Sequence, residues 1–218
     1  MVDAKAIQQA LDKLKQSTER VKFNQTVDLI ITLKDIDLKK PDQQVDFFTS
    51  LPHGKGKDVK VAGLVGSDLI DAAKKELDFA LSDSDFAQFA SKKSDVKNMA
   101  STYDYFVAQA NVMPKVAQSF GRILGPRNKM PNPKAGCVVP PKTSLTQVKE
   151  RLQKMVRISA RKDPHIQVAV GTQNMDAQQI IENITEAYNQ TVAHLPQGIN
   201  NVKKVLVKLT MSKVERVA

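Results

Sequence analysis

The sequence predicts a two-domain α/β protein in which an α/β segment is inserted into an α+β domain built from both chain ends. Three observations predict it. Both ends carry the period-two apolar alternation of half-buried strands. The middle alternates short apolar runs with helical patterns, as βαβ units in a parallel sheet do. Between them, Pro52-His53-Gly54-Lys55-Gly56-Lys57 is a breaker segment that marks a boundary. The expected domains are 1–54 with 157–218, and 55–156. Two chain crossings, near 54–57 and 155–157, predict a hinge, because interfaces within a chain are small.

Each element follows from local pattern. Ile7, Leu11 and Leu14 recur at helical spacing, which predicts a helix over 3–17. Val27, Leu29, Ile31 and Leu33 alternate with Asp28, Ile30, Thr32 and Lys34, a strand from about 22 to 33. Val45, Phe47, Thr49 and Leu51 form a second strand. VKVAGLV (59–65) is a third, followed by Ser67 as a helix cap and a helix to about Leu77. A helix is expected from about 83 to 100, a strand in YDYFVA (103–108) and a helix near Pro114–Phe120. Thr143 or Ser144 caps a helix to about Met155. RISA (157–160) and IQVAV (166–170) resemble a hairpin about RKDPH. Asp176 caps a helix with Ile180, Ile181, Ile184, Ala187 and Tyr188 on one face, and Val205, Val207 and Leu209 mark the last strand.

Composition narrows the function. Apolar residues are 41% and charged residues 26% of 218, which reads as globular. No apolar run approaches the roughly 18 residues that span a bilayer, and the amphipathic opening lacks an apolar signal region. The single cysteine, Cys137, excludes an intrachain disulfide and a cysteine-rich zinc site, so a cytoplasmic setting is expected. Net charge is +10, and residues 111–163 hold 12 basic and 2 acidic side chains, so this segment carries the whole excess. Such polarisation points to a polyanion, nucleic acid before membrane.

Catalytic patterns are weak. Cys137 lies beside Val138 and Val139 and reads as a buried small residue. His53, His165 and His194 lack metal-ligand spacing, so no metal or cofactor is expected. Gly63-Leu64-Val65-Gly66 faintly echoes a dinucleotide turn, which keeps a nucleotide-using enzyme as a minor alternative.

The segment 121–136, GRILGPRNKMPNPKAG, is more informative. Arg122, Arg127, Lys129 and Lys134 sit among turn-forming Gly and Pro residues in what reads as a rigid, basic loop. Stiff donors suit backbone phosphates, although a solvated connector is the plainer reading. Lys22-Phe23, with Thr26 and Asp28 following, opens the first strand. Phe23 either stacks on a base or packs in the core. Thr210-Met211-Ser212 closes the last strand, where hydroxyls and backbone groups can meet ribose 2′-hydroxyls, or simply fray.

Met113-Pro114 followed by residues 121–136 resembles the signature of the universal large-subunit ribosomal protein one family, the protein of the lateral stalk beside the tRNA exit site. Leu51–Lys57, Lys22-Phe23 with Thr26-Val27, and Thr210-Met211 resemble further landmarks in order, in an archaeal form. The resemblance implies an α+β RNA-binding domain from both termini and an inserted three-layer Rossmann-like domain. It implies binding to the stalk of large-subunit ribosomal RNA, transient contact with exit-site tRNA and help in its release, and repression of translation by binding the protein's own mRNA. It implies no catalysis and a monomer when free. Carried over by motif, Lys22, Phe23, Thr26 and Asp28 converge with Thr210, Met211 and Ser212 on one RNA surface. Two residues depart from the family pattern, which has Gly at both places. Ser212 crowds a close backbone approach, and Asn128 is a residue that tolerates positive φ.

Overall fold

The computed structural model describes residues 3–17, 22–141, 143–161 and 163–218. The chain separates into two compact units: Met1–Lys57 with Lys154–Ala218, and Asp58–Gln153.

The first unit joins α1 (Ala4–Ser17), β1 (Thr26–Leu33) and β2 (Val45–Ser50) to the later elements β7 (Met155–Ala160), β8 (His165–Thr172), α7 (Ala177–His194), β9 (Val202–Leu209) and β10 (Glu215–Arg216). Its main sheet has the order β10-β9-β1-β8, every pair antiparallel. On β1, residues 27, 29, 31 and 33 are buried and residues 26, 28, 30 and 32 are half-buried. The buried row packs with Ile7, Leu11 and Leu14 of α1 and Ile180, Ile184 and Tyr188 of α7. Each such aliphatic side chain contributes roughly 1.5–3 kcal/mol when fully buried. A one-residue slip would move the whole row to the other face, so this pattern sets the register. A bulge interrupts the β1–β8 pairing between Val27 and Asp28, where Val170 has no partner on β1.

β7 pairs with β2 in a separate two-stranded ribbon. The hairpin expected between 157–160 and 166–170 is therefore corrected: β8 pairs with β1, and β7 with β2. Lys162, within the expected turn, lies outside the described residues. The first strand begins at Thr26 rather than near 22; residues 22–25 lie outside its ladder, although Gln25 O accepts from Gln173 N–H.

Asp46 on β2 lies between two guanidinium groups. Arg157 Nε donates to Oδ1 at 2.7 Å and Nη2 to Oδ2 at 3.1 Å, and Arg161 donates to Oδ2. Burial works against the Asp46 charge. The hydrogen bonds and attraction of Arg157 and Arg161 outweigh it and hold the carboxyl below the usual carboxylate range. A carboxylate depressed in the folded state stabilises the fold above its unfolded pKa. That contribution is lost as pH falls through the folded value. Asp46→Asn should therefore lower stability at neutral pH and flatten the acid limb below about pH 4, read from thermal midpoints between pH 2 and 7.

The second unit holds a parallel sheet of order β4-β3-β5-β6, with β3 (Val61–Val65), β4 (Phe79–Ser82), β5 (Tyr105–Gln109) and β6 (Val138–Val139). Its helices are α2 (Ile70–Glu76), α3 (Phe86–Ser91), α4 (Lys93–Thr102), α5 (Met113–Leu124) and α6 (Leu145–Lys154), the last ending at the boundary. β3 is buried at every residue, as a central parallel strand should be. Three sequence expectations change here. Ser67 does not cap α2, which starts at Ile70 after Leu69. The helix expected over 83–100 is two helices broken at Lys92, whose backbone leaves the helical region. Gly121 and Arg122 belong to α5, so the basic loop begins only at Gly125.

Candidate nucleic-acid interface

At one end of the main sheet, residues 22–26 meet 209–212. The turn Leu209–Ser212 closes with Ser212 N–H donating to Leu209 O at 3.2 Å. Thr210 and Met211 are its central residues. The Thr210 hydroxyl oxygen accepts from Thr26 N–H at 3.1 Å, which ties the end of β9 to the start of β1. Met211 N–H donates to Gln25 Oε1 at 2.9 Å. Gln25 is fully buried, and its backbone carbonyl accepts from Gln173 N–H at 2.8 Å. One glutamine thus links the first strand, the end of β8 and the last turn.

Two large apolar side chains lie exposed beside this hub, Phe23 at 51% and Met211 at 69%. Phe23 is therefore not a core residue, which decides between the two readings its sequence left open. Lys22 is exposed next to it. Asp28, on the half-buried face of β1, accepts from Gln167 Nε2 at 3.1 Å, and Lys208 of β9 stands opposite it in the register. Ser212 is drawn into the turn: its Oγ accepts from Leu209 N–H at 2.8 Å and donates to Lys213 O at 2.7 Å. Ser212 is not among the positive-φ residues, so the turn does not require glycine there for its backbone angle. The sheet end thus brings together Lys22, Phe23, Thr26, Thr210, Met211 and Ser212, with Asp28 one step along β1.

Gln25 was not singled out by the sequence reading. Its signal was phase: it stands two before Val27, on the buried side of the strand alternation. A polar residue in a buried phase needs partners, because an unsatisfied buried amide costs free energy.

The four basic residues of 121–136 divide. Arg127 Nη1 donates to Lys97 O at 3.1 Å and Ser101 Oγ at 2.9 Å, and Lys129 Nζ donates to Tyr103 O at 2.7 Å. Arg127 thus ties the loop to the middle of α4, and Lys129 ties it to Tyr103, just past the helix's C-terminal end, where the dipole favours positive charge. Arg122 and Lys134 are exposed. Asn128 adopts φ 55°, the left-handed conformation that asparagine tolerates. Cys137 is buried, and that burial pushes its thiol up.

The glycine turn 63–66 does not form a phosphate loop. Parallel sheets place ligands where neighbouring strands connect outward in opposite directions, here between β3 and β5. That position is filled by the chain itself. Gly66 N–H donates to buried Gln109 Oε1 at 2.9 Å, and Gln109 Nε2 donates to Asp68 Oδ2 at 3.1 Å. The amide that would meet a phosphate is taken, and a carboxylate stands beside it.

Fold and site together define a mixed α/β protein whose distinctive surface is an exposed sheet end. Residues 14–213 match the model of the Ribosomal protein L1p/L10e family. Large ribosomal subunit protein uL1 of Pyrococcus horikoshii is 37% identical over 216 residues, covering 99% of this chain and 96% of its own length. The uL1 proteins of Thermococcus kodakarensis and Methanobrevibacter smithii are 38% and 36% identical, covering 96% of this chain in each case and 98% and 99% of their own lengths. The chain belongs to the Ribosomal protein L1p/L10e family, in its archaeal form. Its members are structural ribosomal proteins rather than enzymes.

Proposed function

We propose that the chain is a constituent of the large ribosomal subunit that binds the stalk region of large-subunit ribosomal RNA. In this reading Met1–Lys57 with Lys154–Ala218 is a discontinuous α+β RNA-binding domain, and Asp58–Gln153 is an inserted Rossmann-like domain. The observation that carries it is the exposed pair Phe23 and Met211, held at one sheet end by Gln25 and Thr210. Exposed apolar groups beside cations suit unstacked bases and sugars of irregular RNA. Family membership supports the ribosomal setting.

Binding at such a patch is recognition of shape. The Thr26 and Thr210 hydroxyls meet ribose hydroxyls, Ser212 shapes the turn that presents them, and lysines and arginines elsewhere add salt-dependent affinity. The protein is a monomer when free. It meets exit-site tRNA transiently, aids its release, and represses its own mRNA through a copy of the ribosomal site. Filter binding of stalk ribosomal RNA against tRNA and duplex DNA tests the main reading. Preference for the stalk RNA by less than tenfold overturns it. Co-sedimentation with large subunits separates it from an RNA-binding regulator that works off the ribosome.

The basic residues should behave unequally in the same titrations. Arg122→Ala and Lys134→Ala should each reduce the slope of log affinity against log salt by about one, with a modest loss of affinity. Arg127→Ala should instead lower the thermal midpoint, because it removes the loop's hydrogen bonds to Lys97 O and Ser101 Oγ on α4.

A further inference from the structure

The uncovered face of the main sheet leads from the candidate interface to a polar cavity. Alternation places Thr26, Asp28, Ile30 and Thr32 on this face of β1, and the register sets Gln167 opposite Ile30 and His165 opposite Thr32. Gln167 also reaches back to Asp28. Beyond it, a shallow cavity of about 230 Å³, open to solvent, is lined by Ser159, Ala160, Arg161, Asp163, His165 and Gln167, where β7 ends and β8 begins.

We propose that this cavity takes an unpaired nucleobase of the same RNA, with guanine as the best chemical fit. The proposal rests on the RNA-binding reading above. Thr26 and Thr32 are six residues apart, about 20 Å along a strand, so the cavity is a separate contact from the sheet end. Its lining mixes donors and acceptors. Arg161 is held by Asp46, so its guanidinium is pre-oriented and its remaining N–H groups are donors. Asp163 supplies two carboxylate acceptors. The exposed His165 ring offers a stacking face.

A phosphate suits this lining poorly. Asp163 lines the cavity, and the Arg161 charge is already shared with Asp46, so an anion would meet a carboxylate beside a partly neutralised cation. A base edge needs both kinds of partner. Guanine alone among the four presents two adjacent N–H donors on its Watson–Crick edge, which match one carboxylate, while its O6 accepts from a guanidinium.

The test turns on the sign of one substitution. Asp163→Asn removes a negative charge and replaces one acceptor with a donor. Asp163 is exposed in the connection between β7 and β8, so folding should survive, and an unchanged thermal midpoint verifies this. Against the stalk ribosomal RNA fragment, a base contact predicts about tenfold weaker binding with the salt slope unchanged. A phosphate contact predicts tighter binding, and a cavity outside the interface predicts no change; either result overturns the proposal. His165→Ala should weaken binding about fivefold or more, while His165→Phe, which keeps an aromatic face, should stay within about twofold. Equal affinities for these two also overturn it. If the wild-type protein does not prefer the stalk RNA, the RNA reading itself fails and this proposal falls with it, an outcome visible before any variant is made.

Discussion

Asn183→Ala is expected to lower the thermal midpoint of the first unit by about 10 °C. Asn183 lies on the buried face of α7 and is fully buried. Its Nδ2 donates to Gly54 O and Val170 O, both at 2.8 Å, and its Oδ1 accepts from His53 N–H at 3.1 Å. Three backbone groups of two distant segments depend on one side chain. Gly54 has φ 66°, so the segment turns through a conformation that other residues adopt poorly. Truncation leaves the three groups without protein partners, at a cost of about 2–4 kcal/mol. A unit of this size loses roughly 2–8 °C for each kcal/mol.

The isosteric change is the sharper experiment. Asn183→Asp keeps the acceptor for His53 N–H but sets a buried carboxylate against two carbonyl oxygens. At neutral pH this variant should be less stable than the alanine variant. The new carboxyl is disfavoured when ionised, so its folded pKa rises. Its penalty therefore grows as pH climbs above the unfolded value near 4 and relaxes in acid, where a protonated carboxyl can donate to one carbonyl. Thermal midpoints from pH 4 to 8 read this directly. A midpoint independent of pH, equal to that of the alanine variant, would show that water replaces the amide.

These residues also show what the sequence could reveal. The β1 alternation and the α7 apolar face were legible because each repeats a short period, and both are buried as their patterns require. Asn183 and Gln25 stood in phase with those buried rows, yet a polar letter in an apolar phase does not name its partners. Gln25 meets residue 211, and Asn183 meets residues 53, 54 and 170. Pairing of β7 with β2 joins segments more than 100 residues apart, whereas the apparent hairpin with β8 was the nearer partner in sequence. β4 was missed because Phe79–Ser82 follows a helical pattern with no Gly or Pro between them. In the basic segment, sequence gave the cations but not their targets. Arg127 reaches a carbonyl in the middle of α4 and Lys129 one just past its end, both brought near only by the folded loop.

Met211→Asp should cost the protein at least a hundredfold in affinity for stalk ribosomal RNA, about 3 kcal/mol. The fold should not notice the change. Met211 is 69% exposed, and the tie to Gln25 runs through its backbone N–H, which any residue retains. Surface changes of this kind usually alter stability by less than about 0.5 kcal/mol. Two separate effects then act on binding. The apolar contact is lost, and a carboxylate is set against a polyanion. Salt separates them. Repulsion from phosphates is screened, so the deficit should shrink as salt rises and the log–log slope should fall by about one. The loss of apolar contact persists at any salt. Met211→Leu restores the apolar surface without charge and should bind within a few-fold of the wild type, whereas Phe23→Ala should share the salt-independent part of the loss. Wild-type affinity in Met211→Asp would move the RNA away from this sheet end.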